Sequence, residues 1–358
     1  MSDFKYDWAI SDVEFPKNKG KVFSCFSCGG GSTMGYKLAG FDVVGCNEID
    51  PKMMDTYIKN HDPKHHFLEP IQEFIKRDEY PDDLMNLEIL DGSPPCSSFS
   101  IAGNREKDWG KNKKFREGQA EQVLDTLFFD FIELAGRLRP KVVVAENVKG
   151  LEMGDSNKTY VGRILQSFSD AGYYVGKKLL NASDMGVPQK RERIFFYAIR
   201  KDLYNGPFDD LFATEPSLDL DFDRERITFS EIFDRDDLTE NLSPLDGELW
   251  EKRRAGDVDL SDASIRERDV LSRFNAKYIY QNKVPNTVCG SDQCVLFDVK
   301  RRRNRSEVVK CGSFPSDYDF CGNKPEYIVG MSVPPLMTAG IAERISDQWL
   351  SKIDEGKK

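Results

Sequence analysis

Across residues 21–201, short apolar runs rich in β-branched and aromatic residues alternate with longer amphipathic stretches. That rhythm belongs to an α/β unit, a largely parallel sheet whose strands are joined by crossover helices. Residues 22–26, 43–47, 88–91, 142–146 and 194–199 are predicted strands, and 34–38, 53–60, 119–138 and 160–171 predicted helices. After Asn205 the rhythm gives way to acidic segments rich in Pro and Asp, so a smaller and more irregular unit is expected there. A final apolar helix, 336–350, follows Val333-Pro334-Pro335 and could return to pack on the first unit. The expected division is therefore 1–204, 205–305 and 306–358.

Composition narrows the class. The chain has 358 residues, 24 of them Phe and 13 Tyr, which is enough apolar material for one large and one small domain. No apolar run approaches the ~18 residues of a membrane span, and residues 1–11 are polar and acidic, so a soluble, cytoplasmic monomer without membrane attachment is expected. The eight cysteines are dispersed, as reduced thiols would be. Cys25-x-x-Cys28 has the spacing of a ligand pair, but no second close pair accompanies it and Pro63 separates His61 from His65, so no metal is expected.

The net charge of −10 is unusual for a chain that binds nucleic acid, because phosphate contacts come from Lys and Arg. The basic residues are clustered, however, in 105–116, 190–193 and 300–305, while 206–262 is strongly acidic. Each basic run, taken alone, also fits a solvated surface.

Two loops carry candidate chemistry. The first predicted strand enters Ser27-Cys28-Gly29-Gly30-Gly31-Ser32, and the second ends in Asn47-Glu48-Ile49-Asp50. The glycines permit close backbone approach, and an acid at the next strand end can accept hydrogen bonds from ribose hydroxyls. Met34 stands where the dinucleotide fingerprint needs its last glycine, and no Lys-Ser/Thr pair completes a P-loop, so S-adenosylmethionine fits better than a nicotinamide dinucleotide. A glycine-rich surface turn is the alternative reading of this segment.

The second loop, Gly92-Ser93-Pro94-Pro95-Cys96-Ser97, puts a cysteine just past a predicted strand end, where open α/β sheets place ligands. Cys96 is a candidate nucleophile, although a lone cysteine also fits simple packing. Val142-Val143-Val144-Ala145-Glu146-Asn147-Val148 should bring Glu146 to the same sheet edge, and Gln189-Lys190-Arg191-Glu192-Arg193 offers two guanidiniums. Such a set suits methylation of a cytosine ring. A thiolate adds to carbon 6 and pushes electron density to carbon 5, Glu146 bonds ring nitrogen 3 and the exocyclic amine, and Arg193 holds the 2-carbonyl. None of these groups could reach a stacked base, so the cytosine must be flipped.

These residues resemble the cytosine-5 DNA methyltransferases of bacterial restriction-modification systems, from about Val22 to Ile345. Phe26-Ser27-Cys28-Gly29-Gly30-Gly31 is similar to the family's cofactor motif, Glu48 to its ribose-binding acid, and Ile49 to the residue against the adenine. Pro94-Pro95-Cys96, Glu146-Asn147-Val148 and Gln189-x-Arg191-x-Arg193 follow in family order, and Tyr327-x-x-Gly330-Met331-Ser332-Val333-Pro334-Pro335 resembles the final motif. The resemblance implies a Rossmann-like S-adenosylmethionine-dependent methyltransferase sheet with a smaller target-recognition domain. It implies Cys96, Glu146, Arg191 and Arg193 as catalytic residues, and Phe26, Ser27, Cys28, Gly30, Gly31, Glu48, Ile49, Ser332 and Val333 around S-adenosyl-L-methionine. Ser98, Arg105, Lys111, Lys113, Lys114, Gln189 and Thr287 would face double-stranded DNA. A cognate restriction endonuclease acting on the same site is a partner that such systems allow. The chain departs from the family at Cys28, usually Gly, at Ser97, usually Gln, and near the adenine amine, where Leu68-Glu69-Pro70-Ile71 offers no clear match to the family's Asp. A transfer-RNA cytosine methyltransferase would share Cys96, Glu146 and Arg193, but the Cys-Phe-Thr element of that branch is absent.

Overall fold

The computed structural model describes residues 4–95, 112–113, 122–123, 126–153, 155–204 and 216–355, with backbone alone at 112–113, 122–123, 155–157 and 354–355. Cys96, Ser98, Arg105, Lys111 and Lys114 lie outside the described residues, as does the side chain of Lys113.

The first half runs β1 (Lys21–Cys25), α1 (Gly31–Leu38), β2 (Asp42–Glu48), α2 (Pro51–His61), β3 (His65–Leu68), α3 (Ile71–Ile75) and β4 (Ile89–Gly92). A two-residue antiparallel pair follows, β5 (Asn112–Lys113) with β6 (Gln122–Val123), then α4 (Leu127–Leu138), β7 (Val142–Val148), α5 (Asp155–Asp170), β8 (Tyr173–Asn181) and β9 (Glu192–Arg200). Seven of these strands form one sheet in the order β3-β2-β1-β4-β7-β9-β8. β3, β2, β1, β4 and β7 are parallel, and β9 is antiparallel to both β7 and β8.

The central strands are buried on both faces, which is why β1, β4 and β7 read as nearly continuous apolar runs. On one face Phe23, Phe74, Phe128, Phe131, Ile164 and Phe168 form the core under α3, α4 and α5. On the other, Tyr36 of α1 and Phe41 pack with Met337, Ile341 and Trp349. These last three come from the helix Pro335–Ile345 and the turn after it, so this late segment completes the sheet's second layer.

All five predicted strands occur, with ends displaced by one or two residues. β3 and β8 are additions. Both are edge strands, β3 alternating half-buried with exposed residues and β8 half-buried along most of its length, and the His65-His66 and Lys177-Lys178 pairs hide their pattern. The helix predicted over 119–138 begins too early, since Gln122–Val123 is strand and α4 starts at Leu127. Thr126 provides no side-chain cap there, so the amphipathic pattern alone gave no stop signal.

The second half is irregular: α6 (Phe229–Ile232), α7 (Pro244–Glu251), α8 (Leu260–Arg268), a short parallel pair β10 (Tyr278–Ile279) with β11 (Val295–Leu296), α9 (Arg305–Cys311), α10 (Pro325–Met331), α11 (Pro335–Ile345) and α12 (Ser351–Glu355). A single π turn, Ser346–Leu350, interrupts the last predicted helix between α11 and α12. Leu249, Trp250, Leu260, Ala263, Tyr278 and Val295 make a small separate core.

Four cations of the basic run, at 300–303, are paired internally, and Arg305 is exposed. Arg301 is fully buried and pairs with Glu307 at 2.7 Å, Arg303 pairs with Asp292, Arg302 with Asp246, and Lys300 with Glu251. Burial of this order is tolerated only because the guanidiniums are matched by carboxylates and carbonyls. Among the described residues, no helix is long and apolar enough to cross a membrane.

Candidate active site

Four loops leave the same edge of the parallel strands: residues 26–30 after β1, 49–50 after β2, 93–95 after β4 and 149–152 after β7. Strand register makes this unavoidable, because β1 is paired in parallel with both β2 and β4, and β4 with β7. The gap above the central strands is where an open α/β sheet holds ligands.

The glycine loop is tightly wound. Phe26, Cys28 and Gly30 have φ of 53°, 48° and 83°, all left-handed, and only Gly30 takes that conformation without a Cβ penalty. Glu48 closes the loop from below. Its carboxylate accepts from Cys28 N at 2.7 Å, Ile49 N at 2.8 Å and Asp50 N at 2.9 Å. Burial raises its pKa, and the three N–H donors pull it back down.

Above the loop, a Cβ on Gly31 would stand 2.4 Å from Val333 O and 2.7 Å from Ser332 Cβ, so the final motif sits directly against the cofactor motif. α11 continues this contact along α1, where a Cβ on Gly35 would meet Pro335 O at 2.4 Å. Phe26, Ser27, Cys28, Gly30, Gly31, Glu48, Ile49, Ser332 and Val333 thus converge. Ser27 Oγ and Ser332 Oγ are both buried, and each meets only a neighbouring thiol, Cys46 and Cys28 respectively, a weak partner outside good hydrogen-bond geometry. Two buried hydroxyls with only thiol partners, beside a buried acid, fit a polar ligand with hydroxyl and amine groups. Burial pushes the Cys28 thiol up to about 12, so it stays neutral here.

On the other side of the gap, Glu146 and Arg193 form an ion pair, Nε to Oε1 at 2.8 Å, with side chains 12% and 16% exposed. Antiparallel register explains the pair: Val148 of β7 lies opposite Arg193 of β9, and Glu146, two residues back, shares that face diagonally. The next residue, Asn147, turns the other way. Its amide donates to Pro94 O at 3.1 Å and its oxygen accepts from Val148 N at 2.9 Å. The strand that carries Glu146 therefore also grips the loop two residues before Cys96.

Asp91 is a residue that sequence reasoning passed over. It is buried at the end of β4 and accepts from Ser24 Oγ (2.9 Å), Ser32 Oγ (2.8 Å) and Tyr36 OH (3.2 Å). Burial raises its pKa to about 6 despite these donors. The carboxylate joins β1, α1 and β4, so one group ties the cofactor loop's helix to the strand leading to Cys96. An acid inside an apolar strand was the available signal, but its three partners are scattered over the sequence.

Arg191 and Gln189, expected at substrate and DNA, are spent elsewhere. Arg191 is buried, and its guanidinium donates to Val288 O (3.3 Å), Gly330 O (3.0 Å) and Ser332 O (2.8 Å). Gln189, also buried, donates to Cys311 O at 2.6 Å and accepts from Val288 N at 3.1 Å. The segment leading into β9 is stitched by these bonds to the irregular half and the final motif. Thr287 is half-buried and donates to Lys190 O.

Comparison with known proteins points the same way. Residues 20–347 match the family model for C-5 cytosine-specific DNA methylases. The type II methyltransferase M1.HphI of Haemophilus parahaemolyticus is 30% identical over 354 aligned residues, covering 89% of this chain and 85% of the relative. M.FnuDI of Fusobacterium nucleatum is 37% identical over 189 residues, 53% of this chain, so the match spans 49% of that relative's length. Among solved structures, a candidate DNA modification methyltransferase encoded within an E. coli prophage superposes with a TM-score of 0.65 at 19% identity, over 92% of this chain and 99% of that one. A DNMT2 mutant of Spodoptera frugiperda gives 0.60 at 17% identity, over 93% and 99%. At these identities the structural likenesses speak for the fold, a Rossmann-like methyltransferase sheet.

Proposed function

The chain belongs to the C-5 cytosine-specific DNA methylase family, and on that premise we propose that it is a DNA (cytosine-5-)-methyltransferase acting on duplex DNA through Cys96, with S-adenosyl-L-methionine as methyl donor. The observation that carries this reading is the Glu146–Arg193 pair on β7 and β9, one residue from the Asn147 amide that holds Pro94 and hence the approach to Cys96.

Bound S-adenosylmethionine supplies an electrophilic sulfonium methyl group. The chain's residues would do the rest. Ser27 and Ser332 offer weakly engaged hydroxyls, and Glu48 the acid, for a ligand carrying ribose and amino acid groups. The Cys96 thiolate adds to carbon 6 of a flipped cytosine, and the electron pair of the 5,6 double bond becomes available at carbon 5. Glu146, carrying a proton, donates to ring nitrogen 3, where negative charge develops, while Arg193 orients the carboxyl group and faces the 2-carbonyl. Once the methyl group has passed to carbon 5, with S-adenosylhomocysteine as the leaving group, loss of the carbon-5 proton to water returns the electron pair and expels the thiolate, restoring both the ring and Cys96. Arg191 and Gln189 take a different part in this account, as the fasteners that hold β9 against the final motif. The division at 204 and 305 corresponds to a catalytic unit, a target-recognition unit and a return segment. Type II relatives suggest a cognate endonuclease of the same site as partner.

Transfer of a labelled methyl group to duplex DNA and to transfer RNA, by the wild type and Cys96→Ser, tests the reading. Label should enter duplex DNA with the wild type alone, and cofactor binding by the mutant should be nearly unchanged. Label in transfer RNA but not DNA, or a mutant retaining more than a small fraction of activity, would refute it.

A further inference from the structure

Beneath the glycine loop lies a support that the chemistry above does not use. Gly29 O accepts a hydrogen bond from the hydroxyl of Tyr318, a residue 1% exposed, and lies 3.4 Å from His61 Nε2 at the end of α2. The fit is close on both sides. A Cβ on Gly30 would be 2.0 Å from His61 Nε2, and one on Gly29 would be 3.1 Å from the Tyr318 hydroxyl. The loop therefore rests on two rings, and its left-handed residues at 28 and 30 are held by contacts from below.

Tyr318 is itself braced by segments remote from the site. Asn60 of α2 exchanges two hydrogen bonds with the backbone of Asp319, at 2.9 and 2.7 Å. The chain's early residues cross the same segment: the Trp8 indole donates to Ser313 O at 3.0 Å, Ser316 N donates to Trp8 O at 2.8 Å, and the Asp317 carboxylate accepts from Ile10 N and Ser11 N. Residues 313–319 are thus pinned between α2 and the N-terminal strap, with Tyr318 pointing at the loop.

We propose that Tyr318 is a positioning residue for cofactor binding: its hydroxyl, seated on the Gly29 carbonyl, holds residues 27–31 in the conformation that receives the methyl donor. This rests on the methyl-donor reading of the loop. Tyr318 acts through Gly29, so its loss should weaken cofactor binding without altering the chemistry at Cys96. Its ring also packs on Phe314 and Phe320, with centroids 5.1 and 4.9 Å away, and that packing survives in Tyr318→Phe. Only the hydroxyl is removed.

The experiment is calorimetric titration of S-adenosylhomocysteine into the full chain without DNA, together with steady-state kinetics. For Tyr318→Phe the Kd should rise about five- to tenfold, the scale of one lost hydrogen bond. The cofactor KM should rise with it, while kcat at saturating cofactor and the KM for DNA stay within about twofold. Trp8→Phe and Asn60→Ala loosen the brace without touching the loop and should each raise the Kd by about two- to threefold. They decide the matter if Tyr318→Phe does not fold. A wild type that binds S-adenosylhomocysteine beside variants that bind it equally well overturns the positioning role alone. A wild type that does not bind it at all overturns the methyl-donor reading and this inference with it.

Discussion

Asp91 is buried, and among the described residues three hydroxyls donate to it. Its folded pKa, about 6, lies above the ordinary 3.8, so the folded state holds the proton more tightly than the unfolded chain. Its contribution to stability is therefore fully present below about pH 4 and is lost as pH rises through about 6, a change on the order of 2–3 kcal/mol. Asp91→Asn keeps an acceptor and removes the titration, since the hydroxyls can rotate to meet an amide. In urea unfolding the variant should equal or exceed the wild type at pH 7.5, and the wild type should gain on it as the pH falls to 5. A wild type that loses ground on acidification would contradict the assignment. Glu146 has a different task, stabilising charge on the base. Glu146→Gln should lower kcat by about 10²- to 10³-fold with cofactor Kd unchanged; a drop of only a few-fold would remove Glu146 from the reaction.

At the scale of elements, β1, β2, β4, β7 and β9 were legible because a strand buried on both faces must be apolar at nearly every position. The edge strands β3 and β8 were not, because one open side lets charged residues in. The same limit applied to the basic run at 300–305, which displays its charge in the sequence and conceals its partners Glu307, Asp292 and Asp246. For the site, spacing predicted Glu146, Glu48 and the glycine loop at one edge of the sheet, and the parallel strands do end there together. It could not show that the Arg191 and Gln189 side chains turn inward, since strand alternation depends on where β9 begins and on what packs over it. The Arg301–Glu307 pair gives this reading a consequence. Glu307 also accepts from the backbone N–H groups of Asp234 and Asn304, so Arg301→Met leaves a fully buried carboxylate with too little compensation. A loss of about 3–5 kcal/mol is expected by chemical denaturation, and a loss under about 1 kcal/mol would mean that the pair is solvated.

For the whole molecule, a net charge of −10 and a DNA substrate are compatible if the positive charge is local. With the cations of 300–303 paired internally, the run at 105–116 becomes the main candidate for phosphate contact. Neutralising Lys111, Lys113 and Lys114 together should weaken binding to target and non-target duplexes alike and flatten the salt dependence; an unchanged slope would place the run away from DNA. Exchanging residues 206–287 for those of a relative should redirect the methylated sequence while the chemistry survives, as bisulfite mapping would show. The central claim is that Cys96 joins covalently to a flipped cytosine under Glu146 and Arg193. A duplex carrying 5-fluorocytosine at the target blocks the loss of a proton from carbon 5 and should trap that adduct. Peptide mass spectrometry of the denatured complex should find the nucleotide on Cys96, only when S-adenosylmethionine is supplied and not in Cys96→Ser. A denaturation-resistant complex that persists in Cys96→Ser, or none at all with an active wild type, would contradict the account.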